Sequence, residues 1–245
     1  MEQMGFCNGS YFIEIMSGKL EPSKLAPLKN KIICGLHMVQ GLKFSSGETN
    51  LRLVDPAFGR STTNDNDNTE PNDVFVLFGG QNINGQYNKQ VVQYRSDTGF
   101  VELSNKMNNN DQTPIGRSYG TMTAIDAGSG GEQRYVLIGG VDDDRDFADS
   151  WLLTVDGTSF EWKELALQEN TFGFDGRAKH SASYWAGKSD APDSSTVVIF
   201  GGCTQLAADR KCFNDVWFAS GAGGDQFSMK KMKTDGGTPP KPSED

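Results

Sequence analysis

At 245 residues the chain is long enough for one or two domains with a sizeable core. Its formal charge of −9 argues against a nucleic-acid partner, because phosphate binding rests on concentrated Lys and Arg. A hydrophobic content of 36% with 29 Gly and 15 Phe points to many short strands joined by tight turns rather than to long helices.

In chain order, residues 1–57 carry no repeat. The start, MEQMGFCNGSYFIEIM, lacks a basic segment leading into an apolar core, so no signal peptide is expected. No apolar run approaches the ~20 residues needed to span a bilayer. The expectation is a soluble protein of the cytoplasm or nucleus with no membrane partner. Within 31–53, KIICGLHMV and NLRLV are candidate strands.

From residue 58 the chain repeats at intervals of about 60 residues. Three apolar segments end in a double glycine: VFVLFGG to Gly79-Gly80, RYVLIGG to Gly139-Gly140, and TVVIFGG to Gly201-Gly202. A Gly-Arg pair precedes each, ending in Arg60, Arg117 and Arg177. A second strand-like segment follows each, KQVVQYR, DSWLLTV and NDVWFAS, and an aromatic closes the unit at Phe100, Trp162 or Phe227. Each unit therefore reads as four strands, a to d.

The order Arg177-x-x-His180-Ser181, apolar run, Gly201-Gly202, Asn214-Asp215-Val216-Trp217, aromatic resembles the kelch motif. The resemblance covers 58–233. It implies an all-β protein, a partial kelch-type β-propeller built of four-stranded antiparallel blades at 58–104, 115–165 and 175–233. Residues 1–57 remain an unassigned segment, a degenerate blade or a closing strand. Residues 234–245, TDGGTPPKPSED, read as a linker or the start of a further blade. Three blades do not close a ring, so missing blades or another chain are expected to complete it. The repeat has departures: the position of His180 is read as Gly120 in the second unit and Thr63 in the first, and the first unit shows no clear strand a.

The motif has a physical reading. The double glycines supply positive φ and close backbone approach. Trp151, Trp162 and Trp217 are expected as blade-to-blade core, and His180 as a packed, hydrogen-bonded side chain. The b–c loops 81–89, 141–148 and 203–213 are expected to share one face with the d–a links. Two readings compete for Arg60, Arg117 and Arg177. They ring the channel mouth and grip a partner's carboxylates, or each pairs within the protein. Asp142, Asp143 and Asp144 are candidate contacts for the same protein partner. No metal site is expected: neither Gly nor Glu stands where a calcium loop from Asp142 needs them. With His37 and His180 the only histidines, a copper-radical oxidase centre is not expected either. No catalytic residue or cofactor is assigned. The sequence thus favours a protein-interaction scaffold without catalysis over a sugar-directed oxidase, lyase or epimerase. Cys203 and Cys212 flank a loop and could pair, but the expected compartment favours free thiols.

Overall fold

The computed structural model describes residues 13–14, 38–44, 47–63, 72–82, 84–95, 99–106, 113–125, 131–166, 173–185, 196–206, 210–223 and 227–233. They form an all-β protein. Strands β1 (Ile13–Glu14), β2 (Met38–Phe44) and β3 (Gly47–Val54) make a three-stranded sheet. Strands β4 (Ala57–Thr63), β5 (Asn72–Phe78), β6 (Val91–Arg95) and β7 (Gly99–Glu102) make the first antiparallel four-stranded sheet. A short β8 (Ser104–Asn105) runs parallel to the last strand of the second, formed by β9 (Thr121–Ile125), β10 (Gln133–Ile138), β11 (Ser150–Asp156) and β12 (Ser159–Glu164). The third comprises β13 (Ser181–Trp185), β14 (Thr196–Phe200), β15 (Val216–Ser220) and β16 (Ser228–Lys231). Among the described residues no helix is long and apolar enough to cross a membrane.

The three sheets repeat one another residue by residue. Ala57 pairs with Phe78, Thr121 with Ile138 and Ser181 with Phe200, so these are equivalent starts of strand a. Side chains alternate between faces, and each sheet offers one face forward and one back. Val76 and Phe78 of the first sheet pack with Leu137, Trp151 and Leu153 of the second. Val136, Ile138 and Leu152 of the second pack with Val197, Ile199 and Trp217 of the third. Trp151, Trp162 and Trp217 are all buried in these two layers, and Phe78 meets Trp162 edge-on with centroids 5.0 Å apart.

Backbone hydrogen bonds fix the stacking. Gly80 N–H donates to Arg117 O, and Gly140 N–H to Arg177 O, at 2.7 and 2.9 Å. In a second series Tyr119 N–H donates to Asp55 O and Lys179 N–H to Tyr119 O. Asp55, Tyr119 and Lys179 are equivalent, and all three sit at positive φ, 52°, 57° and 59°. Positive φ is costly for residues other than glycine, so its recurrence at one position marks a geometry that the stacking requires.

That register corrects the sequence reading of the first unit. Its strand a is not missing: it is β4, which begins before the Gly59-Arg60 pair. Arg60 therefore stands in mid-strand opposite Phe75, exposed, and is not the counterpart of Arg117 and Arg177. Leu53 holds that place, and Pro56, rather than Thr63, is the counterpart of His180. Gly59 has its own reason to be glycine, since a Cβ there would lie 2.5 Å from the Tyr135 ring. Gly116 and Gly176 serve differently, letting the chain pass against the backbone of Asn88 and Asp146 in the preceding unit.

The forward face of the third sheet has no such neighbour among the described residues. Phe78 and Ile138 are fully buried, whereas the equivalent Phe200 is 45% exposed and Trp185, on the same face towards the other end of the sheet, 52%. Val198 and Phe218 on the same face are half-buried.

Candidate functional site

Two buried clamps carry the loops of one face. Arg177 is wholly enclosed, and its guanidinium donates to both carboxylate oxygens of Asp215, at 2.7 and 3.4 Å, and to Gly201 O at 3.0 Å. Its Nε donates to Asp175 O. The guanidinium lies between the rings of Phe174 and Phe213, 4.4 and 3.9 Å from their centroids, and Trp217 Nε1–H completes the cluster by donating to Asp215 at 2.8 Å. The second sheet repeats this with Arg117, Asp149, Gly139 O, Ile115 O, Phe147 and Trp151. Burial alone would raise the Asp215 carboxyl, but hydrogen bonds from Arg177 and Trp217 and the Arg177 charge outweigh it and hold the group below its ordinary value. The first unit has Leu53, Asn88, Gln90 and Val92 at these places and so lacks the Arg–Asp–Trp set.

Arg117 and Arg177 are thus internal braces, each spanning from strand a's entrance to strand c's. As grips for a partner they are ruled out by burial: both are 0% exposed with every nitrogen engaged. The sequence reading places Asp215 in the kelch-like motif but gives neither it nor Asp149, Phe147 and Phe213 a role in holding the arginines. The signal was there, in a shared Phe-x-Asp-x-Trp spacing at 147–151 and 213–217.

His180 is buried between the second and third sheets, with Nε2 2.8 Å from Thr121 Oγ1. Burial, and then the Arg177 charge, hold its pKa down to about 3. The neutral imidazole is the folded form, while the unfolded chain takes up a proton below about pH 6.5. Stability from this group is therefore present above pH 6.5 and lost as pH falls towards 3. We expect the unfolding free energy to drop by roughly 2–3 kcal/mol between pH 7 and 4.5, a slope that His180→Asn should remove. Urea titrations at both pH values check this, since the Asp215 carboxyl titrates only below that window. An unchanged slope in the variant would place the effect elsewhere.

Above the clamps, the three b–c loops are tied together. Each closes through an antiparallel bridge: Gln81 with Tyr87, Val141 with Asp146, and Cys203 with Cys212. Tyr87 OH donates across to Asp143 at 3.3 Å. Asp146 accepts the amides of Gln205 and Leu206 from the third loop, at 2.8 and 3.2 Å. Arg177 N–H donates to Phe147 O, fastening the lead-in of the third unit to the second loop. These loops therefore form one continuous surface, as loop order along the chain predicts. Gly85, Lys89, Asp143, Asp144, Arg145, Leu206, Arg210 and Lys211 are exposed on it.

The acidic run divides by role. Asp142 is 9% exposed, and its carboxylate accepts the amides of Asp144 and Arg145, which folds the loop. It is a structural residue, not the open contact expected of it. Asp143 and Asp144 point outward. No group of three or more metal-ligating side chains occurs among the described residues. Cys203 and Cys212, expected as free thiols, form a disulfide. The ladder explains it: bonds from Phe213 N to Gly202 O and from Thr204 N to Lys211 O flank the pair, making it the non-hydrogen-bonded kind whose side chains approach closest.

No protein-family model matches the chain, and no curated protein matches it. Among solved structures, the chain is similar to one titled "Structure of YjhT", at 12% identity and a TM-score of 0.41, over 73% of this chain. It spans 44% of that protein's length. It is also similar to a chain in "Cryo-EM structure of RAG in complex with one melted RSS and one unmelted RSS", at 12% identity and a TM-score of 0.42, over 83% of this chain and 71% of that one. Scores this low establish neither a shared fold nor a shared function.

Proposed function

We propose that the chain is a protein-binding scaffold, a partial kelch-type propeller whose b–c loops form the contact surface. The observation that carries the reading is the bracing of those loops by Tyr87–Asp143 and by Asp146 with Gln205 and Leu206. Loops fixed to one another lose little freedom on binding, which leaves more of the contact energy for affinity. The front-to-back register and the open face of the third sheet support the propeller reading, with further blades beyond Phe200 and Trp185. Exposed charges on such a surface govern encounter more than stability.

The test is to reverse Asp143 and Asp144 to lysine and measure association with the protein retained by the immobilised wild-type chain. The rate should fall on the order of tenfold while the melting temperature stays put. Glu161→Lys, on the exposed side of β12, serves as the control. The reading fails if the control slows association as much as the loop reversal, or if only a glycan is bound.

A further inference from the structure

The third b–c loop differs from the other two in how it is closed. In the first, Asn82 accepts the amides of Asn84 and Gln86, and in the second Asp142 accepts those of Asp144 and Arg145. The third loop, 204–211, is the longest and has Thr204 at that place, whose Oγ1 accepts, among the described residues, a single amide, that of Lys211 at 2.9 Å. Its disulfide occupies the bridge position that Gln81–Tyr87 and Val141–Asp146 hold without a covalent bond. The ladder therefore does not depend on the bond, because the same pairing stands twice in this chain without it. What the bond adds is confinement of the long loop, and it is that loop which delivers the Gln205 and Leu206 amides to Asp146.

We propose that Cys203–Cys212 is a reversible redox latch on the loop surface. Oxidised, it holds residues 204–206 against Asp146. A dithiol reductant, giving up two electrons and two protons, converts it to two thiols and itself becomes a disulfide. Both cysteines are half-buried rather than enclosed, so a reductant reaches them. In the reduced chain the ladder keeps the two sulfurs opposed, ready to close again, while the loop beyond swings free of the second unit. The consequence for binding rests on the proposed scaffold function. The latch itself does not.

The experiment is amide hydrogen exchange on the whole chain, oxidised and after dithiothreitol. Exchange at Gln205 and Leu206 should speed up at least tenfold on reduction, with Val197, Ile199 and Phe218 unchanged. A Cys203→Val, Cys212→Ser variant should exchange like the reduced form and ignore dithiothreitol. Valine is chosen because Val141 fills that position in the second unit. Equal exchange in both states overturns the proposal, as does unfolding of the whole third sheet on reduction. Failure of oxidised glutathione to close the bond also overturns it. With the retained partner, reduction should weaken binding severalfold in the wild type and not in the cysteine variant. If exchange responds while Asp143→Lys with Asp144→Lys leaves binding intact, the latch stands and the scaffold surface is misplaced.

Discussion

Arg177→Ala should lower the free energy of unfolding by about 3–5 kcal/mol. The substitution leaves the Asp215 carboxylate, 8% exposed, without its bidentate partner, and it orphans Gly201 O and the Asp175 carbonyl. It also empties the space between the Phe174 and Phe213 rings. In a chain of this length the loss corresponds to a melting temperature lower by about 10 °C. Lysine should rescue little, because one ammonium cannot reproduce a fork that reaches two carboxylate oxygens and a carbonyl at once. Replacing both Arg177 and Asp215 by apolar residues should cost less than either single change, since no buried charge is then left alone. Urea denaturation of the four proteins measures this. If Arg177→Ala melts with the wild type yet loses its partner, the arginine is a contact residue and the clamp is wrong.

Gly79→Val and Gly139→Val should each be more damaging than Gly201→Val, although the three glycines are equivalent in the sequence repeat. All have positive φ, 77°, 59° and 69°, so any side chain meets roughly 1–2 kcal/mol of backbone strain. The difference comes from what lies ahead. A Cβ on Gly79 would collide with Arg117 O, and one on Gly139 would come within 2.6 Å of Arg177 O and 2.9 Å of the His180 ring. At Gly201 the nearest atom is Phe213 O at 3.3 Å, because no following sheet among the described residues presents its carbonyl there. Forcing two sheets apart adds about 1–3 kcal/mol or more, so the first two variants should lose several kcal/mol in total and the third nearer the strain alone. Equal losses at all three positions would mean that the glycines serve their own turns and not the stacking.

These glycines also show what the sequence makes legible. The apolar runs ending in Gly-Gly, the Trp positions and the sharing of a face by the b–c loops follow from local chemistry and chain order. What resists reading is set by contacts between units. Asp55, Tyr119 and Lys179 share a left-handed conformation but no side-chain chemistry, so nothing in the residues marks them as equivalent. Gly59-Arg60 mimics the Gly116-Arg117 signature although its glycine clears Tyr135 in mid-strand, and that coincidence displaces the first unit's register. Arg117 and Arg177 could be surface or core until Asp149 and Asp215 are seen opposite them. The disulfide needed the ladder: spacing permits the pair, but only the bridge position brings the sulfurs together.

The central claim is that each unit is seated on the next by one repeated backbone register, which carries the loops into a common surface. Hydrogen exchange at three equivalent amides tests it within a single molecule. Gly80 and Gly140 donate to Arg117 O and Arg177 O, whereas Gly202 N–H has no partner among the described residues. The Gly80 and Gly140 amides should exchange at least a hundredfold more slowly than Gly202 at pH 7. Similar rates at all three, or fast exchange at Gly80 and Gly140, would contradict the stacked register and the loop surface built on it.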